Sequence, residues 1–456
     1  RVNSDAIDNS AGVDCSDHEV NIKILLMQSI RHGHLQDSDR YELLASLTDD
    51  VAALVLHDHY QQTQAISLCH SWRSAYLDRH QRLIRAFEDD GKLDRALECL
   101  ASDDAMTQMM KAREGLSRPE LSILTAYAKN EAVRVLLESD SIDDPFLEPF
   151  LIAYFPEKLT SWFAGDVRAH PLRREIIATM VVNQLINRSD PSFFHELTMQ
   201  SGADYPAIMR AALVAQTVFD LPGLWTRIEA LDGKAETRLQ LAQMHETRRT
   251  LERMSRWFLQ HHGDLADLRA VVELYQEPLK RLKSNPALLL NRDTKADFED
   301  RLARFEGVGV PNDLAHEIAM LKALSIGCDL IKLARESGHS PEQAARIYVE
   351  LGALLGLDFL RSAANVVVTY STWQTMAIRA FGDDLWQLQG ELTARILKEG
   401  GDCKRWMAAR QGWFSQCDRL LQDARNAPML DIAMLAVIIR ALDNGLNQQI
   451  SCQSSH

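Results

Sequence analysis

Residues 117–135 read SRPELSILTAYAKNEAVRV and carry both of the signals that define a helix in a sequence. Ser117 is a typical N-cap residue, and Glu120 three positions later completes a capping box, in which each side chain bonds the backbone amide of the other residue. Pro119 suits the first turn, where a backbone N–H is not needed. Apolar residues then recur with a period near 3.6, at Leu121, Leu124, Ala128, Ala132 and Val135. The stretch predicts a helix that begins directly after Ser117 and buries one face.

The same pattern recurs along the chain. Ser340-Pro341-Glu342-Gln343 is a second capping box, and Thr48 followed by two aspartates predicts another helix start, because negative charge favours the positive end of the helix dipole. Helical periodicity continues in three further stretches, residues 176–185, 244–258 and 314–328. Strand signals are confined to a few residues before Asn9 and to the segment from Val308 to Val310. We predict an all-α fold of many helices.

Composition and charge narrow the classes of function. The chain has 456 residues, enough for two or more helical units. Its 50 basic and 64 acidic residues give a net charge of −14, which repels phosphate backbones and anionic lipids, so we expect no nucleic-acid partner and no membrane partner. The most apolar run, Met429 to Leu442, is too short to span a bilayer. Seven scattered cysteines without a CxxC pair indicate a reducing compartment, and we expect a cytoplasmic protein.

Clusters of glycine, proline and small polar residues predict breaks between helices. They lie at residues 33–38, 141–149, 201–206 and 306–311. The chain begins at Arg1 rather than at a methionine, and we therefore expect an upstream part.

The segment of residues 5–21, DAIDNSAGVDCSDHEVN, is the most unusual in the chain. Its small residues and Gly12 predict a tight loop, and Ser16 with Glu19 predicts a capping box that opens a helix running to about His32. A loop that leads into a helix start can hold a carboxylate, because free backbone N–H groups and the helix dipole both favour an anion. Spacing alone leaves two interpretations open: Ser16 only caps its helix, or it also binds a ligand.

This segment resembles the end of the nucleotide-binding domain of glutamate dehydrogenases. In that family an Asn-Ala-Gly-Gly-Val loop is followed two residues later by a serine and then by a helix. Here the loop runs from Asn9 to Val13 and the serine is Ser16. The resemblance implies that Ser16 contacts a carboxylate of glutamate and that Asn9 lies beside the nicotinamide of NAD. Asp17-His18 replaces an apolar or aromatic pair, as in the large, multidomain NAD-specific class.

Downstream segments also resemble the large NAD-specific class; they are residues 48–60, 115–129, 154–156, 170–177 and 256–259. The resemblance implies that residues 1–33 end the catalytic domain and that residues 34–456 form a helical carboxy-terminal domain, with room for a further boundary near residues 306–311. It implies that the intact enzyme converts L-glutamate, NAD and water to 2-oxoglutarate, ammonia and NADH. The helical region would be structural or regulatory, and its apolar faces lead us to expect a homo-oligomer.

No residue pattern indicates a complete active site or a metal site. His57-Asp58-His59 offers metal-ligand side chains, but neighbours at i and i+2 of a helix point to different faces, and the sequence contains no HExxH. The sequence also has no GxGxxG-bearing βαβ unit, and the catalytic lysine of the resembled family lies in an upstream segment. We therefore expect that this chain alone does not turn over substrate.

Two other classes of function are compatible with the sequence. A non-catalytic helical scaffold that binds protein partners would show the same apolar helix faces. A self-contained helical enzyme would need a compact cluster of perturbed acids or histidines, which spacing alone does not reveal.

Overall fold

The all-α prediction is confirmed for the part of the chain that the structure describes. The structure is a computed structural model, and it describes residues 2–263, 265–290, 292–364, 367, 372–427 and 431–447. These residues form 24 α-helices and four 3-10 helices, and none of them lies in a β-strand. The prediction of strands at the two stretches with strand signals is wrong. Residues 5–8 are helical, and Val308 lies in an exposed turn without a partner strand among the described residues.

The chain divides into two compact units. Unit 1 comprises Arg1–Glu229 and Gln240–Val271, and unit 2 comprises Ala230–Leu239 and Val272–His456. The predicted domain limit at residue 33 does not coincide with this division. The assignment of residues 1–33 to a catalytic domain therefore stays a prediction.

Unit 1 contains fifteen complete or nearly complete helices among the described residues: α1 (Asp5–Asp8), α2 (Ser10–Arg31), α3 (Arg40–Ser46), α4 (Thr48–Ser71), α5 (Arg73–Asp89), α6 (Asp103–Ala112), α7 (Arg118–Leu137), α8 (Glu148–Tyr154), α9 (Glu157–Trp162), α10 (Ala164–Arg168), α11 (Arg173–Asn187), α12 (Phe193–Ser201), α13 (Tyr205–Val218), α14 (Leu221–Glu229) and most of α15 (Thr237–His261). Short 3-10 helices connect some of them: Asp37–Asp39, Asp140–Asp143 and Pro145–Leu147.

The core of unit 1 forms around α7 and α11. These helices pack against each other, and both pack against α4, while α11 also packs against α8. Both carry the apolar stripes seen in the sequence, whose buried members include Leu121, Leu124, Ala128, Ile176, Val181 and Leu185. Full burial of a leucine or isoleucine side chain contributes about 1.5–3 kcal/mol to stability. The stripe that predicted α7 is therefore a central part of the hydrophobic core.

Unit 2 contains the remaining described helices: most of α16 (Leu268–Lys283), α17 (Arg292–Phe305), α18 (Asn312–Ser337), α19 (Pro341–Leu354), α20 (Leu357–Ala364), α21 (Thr372–Lys398), α22 (Cys403–Ala408), α23 (Gln411–Asn426) and α24 (Ile432–Asn447), with the 3-10 helix Pro286–Leu288. α18 packs against α17, α19 and α21, and α21 packs against α24. α18 buries Leu314, Ile318, Leu321 and Cys328, the stripe that the sequence indicates.

Two of the three predicted capping boxes are confirmed. The backbone N–H of Ser117 donates to the Glu120 carboxylate at 2.7 Å at the start of α7. At the start of α19, Ser340 and Gln343 exchange two hydrogen bonds between backbone and side chain, each 3.2 Å long. α4 begins at Thr48 as predicted. Thr48 does not cap the helix, because Leu47 before it is already in helical conformation and the Thr48 hydroxyl donates back to a carbonyl of α3.

The predicted breaks are confirmed. Residues 33–38, 201–206 and 306–311 separate α2 from α3, α12 from α13, and α17 from α18. Residues 141–149 contain parts of two 3-10 helices ahead of α8.

No single helix among the described residues is long and apolar enough to cross a membrane. α13 and α14 are bent by 68° at the break between them. Only the two helices taken together are long and apolar enough to cross a membrane, judged by length and composition alone. α13 is largely buried inside unit 1, as a core helix is. The apolar run of residues 429–442 is described from residue 431 onward, where α24 buries Leu435 and Leu442.

Candidate functional site

The amino-terminal segment is helical where the sequence predicts a loop. α2 spans Ser10–Arg31, which confirms the predicted helix end near His32. The predicted loop over residues 9–13 is wrong except at Asn9, which separates α1 from α2. Ser16 therefore lies inside the helix, and its predicted capping box with Glu19 is wrong as well.

Packing against α4 accounts for the longer helix. A cap needs a residue with extended backbone ahead of the first turn, whereas the six residues before Ser16 are already helical. The Ser10 hydroxyl donates to the carbonyl of Ile7 at 3.0 Å and lies 3.1 Å from Nδ1 of His59 on α4. Gly12 costs a helix about 1 kcal/mol. Contacts with α4 outweigh this cost, because helices in proteins take most of their stability from tertiary packing.

Ser16 and Asn9 are both exposed in the amino-terminal segment. Spacings of three, four and seven residues put Val13, Ser16, Val20 and Met27 on the same side of α2, and Asn9 is the residue directly before this helix. Val13 is 67% exposed and Val20 is 50% exposed, and the side chains of Asn9 and Ser16 are exposed as well. The predicted substrate residue Ser16 therefore lies on an exposed helix face with apolar neighbours, seven positions after the predicted cofactor residue Asn9.

The opposite side of α2 is fixed by polar contacts within unit 1. Asn21 donates from Nδ2 to the hydroxyl oxygen of Tyr154 at 2.8 Å. The backbone carbonyl of Asn21 accepts from Nε2 of His170 at 3.1 Å, since Nδ1 of that ring already accepts from the N–H of Leu172. These contacts set the rotation of α2 about its axis and hence the direction of the exposed face.

A compact group of titratable side chains lies where α2 packs against α4. Asp14 and His18 are four residues apart on α2 and point to the same side, and Asp58 of α4 faces them, so that one ligand atom of each residue lies within 4.8 Å of the others. Asp14 Oδ1 is 3.9 Å from His18 Nε2. His18 is 1% exposed and stacks on Tyr154 with ring centroids 4.3 Å apart. Neither ring nitrogen of His18 has a hydrogen-bond partner among the described residues.

Burial and like charge perturb the pKa values in this group. Burial, helped by Asp58 and Asp17, raises the pKa of Asp14 to about 7. Burial also raises the pKa of Asp58, and it lowers the pKa of His18 to about 4. The neighbouring cation is Lys129 of α7, whose pKa burial lowers to about 8. At neutral pH the imidazole of His18 is therefore neutral, and the Asp14 carboxyl is only partly ionised.

A second group of polar side chains holds the carboxy-terminal end of α2 against α10 by hydrogen bonds. The buried carboxylate of Asp166 on α10 accepts from Ser29 Oγ at 2.7 Å and lies 2.7 and 2.8 Å from Nδ1 of His32 and of His34. Burial acts to raise the pKa of Asp166, but the hydrogen bonds from His34, Ser29 and His32 lower it on balance. Both imidazoles are exposed, and the carboxylate is fully satisfied, so this group is an anchor between α2 and α10.

Neither group is evident from the sequence. In the sequence, Asp58 stands out only as the middle residue of His57-Asp58-His59. The two histidines contact other side chains: Nε2 of His57 lies 2.6 Å from Nε2 of Gln61, and Nδ1 of His59 contacts Ser10. The available signal was an aspartate and a histidine at i and i+4, Asp14 and His18. The third member depends on how α2 packs against α4, which residue spacing does not give.

Two family models match the chain. The model described as "Glutamate dehydrogenase, C-terminal" matches residues 113–444, and the model described as "Bacterial NAD-glutamate dehydrogenase, catalytic domain" matches residues 1–69. The helical fold and these matches define the class as the carboxy-terminal region of a glutamate dehydrogenase.

Curated relatives narrow the class further. The NAD-specific glutamate dehydrogenases of Halomonas elongata, Pseudomonas aeruginosa and Mycobacterium tuberculosis are 34%, 35% and 30% identical to the chain over 449, 450 and 452 residues. These alignments cover 97%, 96% and 97% of the chain. The chain belongs to the bacterial NAD-specific glutamate dehydrogenase family and corresponds to its carboxy-terminal portion with the end of the catalytic domain. It spans 28% of the length of each of these relatives.

Proposed function

We propose that the chain is the carboxy-terminal portion of an enzyme that oxidises L-glutamate with NAD and water to 2-oxoglutarate, ammonia and NADH. The observation that carries this proposal is the exposed face of α2. This face presents Ser16 within the segment that matches a catalytic domain, and the exposed Asn9 directly precedes the helix.

In this proposal Ser16 binds a carboxylate of glutamate and Asn9 lies beside the nicotinamide of NAD. A hydroxyl on an exposed helix face can donate to a carboxylate oxygen, and such charge-assisted hydrogen bonds are stronger than neutral ones. The helix N-terminus plays no part in this contact, because Ser16 lies in the second turn of α2. The side chain, rather than a backbone amide at a helix start, is the proposed donor.

The remainder of the catalytic domain would cover this face in the whole protein. Val13, Val20 and Met27 are exposed apolar side chains on one side of α2, and a contiguous apolar surface of this kind is typical of a packing interface. The helices beyond residue 69 would then be structural: α8 and α10 hold the buried side of α2 and so fix the position of Ser16, while α7 packs against α4. We extend the proposal to a homo-oligomer in the cytoplasm, with helix faces of this region between subunits.

The whole protein tests the proposal. We expect purified whole protein to reduce NAD when L-glutamate is added and to do so much more slowly with L-aspartate, whose side chain is one methylene shorter. The 456-residue chain alone should show no turnover under the same conditions. A whole protein without glutamate-dependent NADH formation would contradict the proposal, and it would favour the scaffold interpretation.

A further inference from the structure

His18 has two buried ring nitrogens that make no hydrogen bond to any residue the structure describes. Buried polar atoms without a hydrogen-bond partner destabilise a fold, so their presence in a well-packed interior indicates that a ligand binds them. The ring is stacked on Tyr154 and is closed off from solvent, which fixes its orientation. Its Nε2 faces Asp14, and a neutral imidazole is the form that binds metal ions.

The side chains around His18 carry more negative than positive charge. Asp14 and Asp58 place two carboxylates beside it, and their like charges repel at this distance. Asp17 adds further negative charge from the helix surface, as its effect on Asp14 shows. His57 and the ammonium group of Lys129 act on Asp58 in the opposite sense. The group therefore keeps an excess of negative charge that a bound cation would neutralise.

We propose that Asp14, His18 and Asp58 form a binding site for one divalent transition-metal ion, such as Zn²⁺ or Mn²⁺. Bonds of about 2.0–2.2 Å to oxygen and nitrogen hold ligand atoms up to about 4 Å apart. The three ligand atoms lie within 4.8 Å of one another, so the side chains must close by less than about 1 Å. An imidazole nitrogen selects transition metals over Mg²⁺ and Ca²⁺, which prefer oxygen ligands. The ion would join α2 to α4 and would stabilise unit 1 whether or not the enzyme is turning over.

The competing explanation is a proton shared between Asp14 and His18. The raised pKa of Asp14 allows a protonated carboxyl that donates to Nε2, but the observed separation of 3.9 Å is too long for such a hydrogen bond. A shared proton would leave Asp58 without a role. It also predicts no response to added metal, and this difference makes the two explanations separable.

The test is a titration of the chelator-treated 456-residue chain with Zn²⁺ and with Mn²⁺, followed by calorimetry and by thermal melting. We expect one site at this cluster, and a melting temperature that rises with the concentration of added metal, because the ion binds the folded state. Mg²⁺ at the same concentration should have little effect. Asp58→Asn should weaken binding by about tenfold or more, so that the same concentration of metal raises the melting temperature less than in the wild type.

Three further variants make the outcome decisive. In the absence of metal, Asp58→Asn should melt no lower than the wild type, because the substitution removes a repulsive charge. If the Asp58→Asn protein does not fold, Asp14→Asn is measured in its place. Glu19→Gln, which alters an exposed carboxylate of α2 that pairs with Lys23, should bind metal as the wild type does. Asp166→Asn controls for the anchor group with His32 and His34. The proposal is overturned if Zn²⁺ and Mn²⁺ do not bind, if Asp58→Asn and Asp14→Asn bind them normally, or if Asp166→Asn alone abolishes binding.

Discussion

Arg118 donates from Nε to the side-chain oxygen of Asn3 at 2.9 Å. Arg118 opens α7, within the region that matches the carboxy-terminal family model, whereas Asn3 lies in the segment that matches the catalytic-domain model. Nη1 of Arg118 also donates to Ser67 Oγ at 3.0 Å, at the far end of that segment. The segment that matches the catalytic-domain model and the beginning of the region that matches the carboxy-terminal model thus lie in one compact unit, joined through the first residue of α7.

Arg118→Ala should destabilise unit 1 by about 1.5–3 kcal/mol, because it removes partly buried hydrogen bonds from a charged donor. Urea denaturation followed by tryptophan fluorescence measures this change. The control is Lys111→Ala at an exposed position of α6, which should change the free energy of unfolding by less than about 0.5 kcal/mol. Equal effects of the two substitutions would show that Arg118 does not hold the two segments together.

Gly12→Ala tests the helical start of α2. Gly12 has no atom within 4 Å of an added Cβ and is not among the glycines with positive φ, so alanine should stabilise the chain by about 0.5–1 kcal/mol through its higher helix propensity. The matched change is Gly115→Ala, where the Cβ would overlap the backbone carbonyl of Arg73, and it should destabilise the chain. A loss of stability in Gly12→Ala would mean that residues 10–13 form the loop predicted from sequence.

The buried carboxylate of Asp190 is central to the stability of unit 1. It lies 3.0 Å from His80 Nε2 and 3.4 Å from Nη2 of Arg248, and all three side chains are almost fully buried. Asp190→Asn leaves the Arg248 charge without its counter-charge and should cost roughly 3–5 kcal/mol in urea denaturation. Glu19→Gln, which breaks an exposed ion pair with Lys23, should cost less than about 1 kcal/mol. Comparable losses from the two changes would contradict this account of Asp190.

His245 makes the stability of unit 1 depend on pH. Its ring is 8% exposed, stacks on Trp72 at 3.9 Å and meets Tyr76 edge-on, and burial together with the charges of Arg248 and Arg249 lowers its pKa to about 3. The unfolded chain takes up the proton near its ordinary pKa of about 6.5 while the folded chain does not, so stability falls as the pH falls below that value. Between pH 7 and pH 5 this residue alone should remove about 2 kcal/mol.

His245→Phe is the control for this effect, since it keeps an aromatic ring on Trp72 but cannot titrate. The free energy of unfolding, measured in urea at pH 7 and at pH 5, should fall less in the variant than in the wild type by about 2 kcal/mol. The same pH dependence in both proteins would show that His245 titrates normally in the folded state.

The sequence predicted those features that depend on neighbouring residues. The capping boxes at Ser117 and Ser340 are local hydrogen-bond patterns, and both are confirmed. Ser16 with Glu19 has the same spacing but lies inside a helix, because packing against α4 extends α2 toward the amino terminus. The cluster of Asp14, His18 and Asp58 was beyond prediction, since it unites residues on two helices whose pairing only the folded chain defines.

The roles proposed for Asn9 and Ser16 stay predictions, but the structure sharpens how they can be tested. Ser16 is an exposed residue in a helix and caps nothing, so its substitution should have little effect on stability. A kinetic effect would then report on ligand binding and not on folding. Ser16→Asp adds the second half of the test, because its negative charge would face the substrate carboxylate and should weaken glutamate binding more than Ser16→Ala does.

The most direct test of the account is the catalytic efficiency, kcat/KM, of the Ser16→Ala whole enzyme for L-glutamate. Loss of a hydrogen bond to a charged carboxylate corresponds to roughly 1.5–3 kcal/mol, so kcat/KM should fall about ten- to hundredfold, while the free energy of unfolding changes by less than about 0.5 kcal/mol. Ser415→Ala, at an exposed position within α23, should change neither quantity. An unchanged kcat/KM in Ser16→Ala would contradict the assignment of Ser16 to the substrate site.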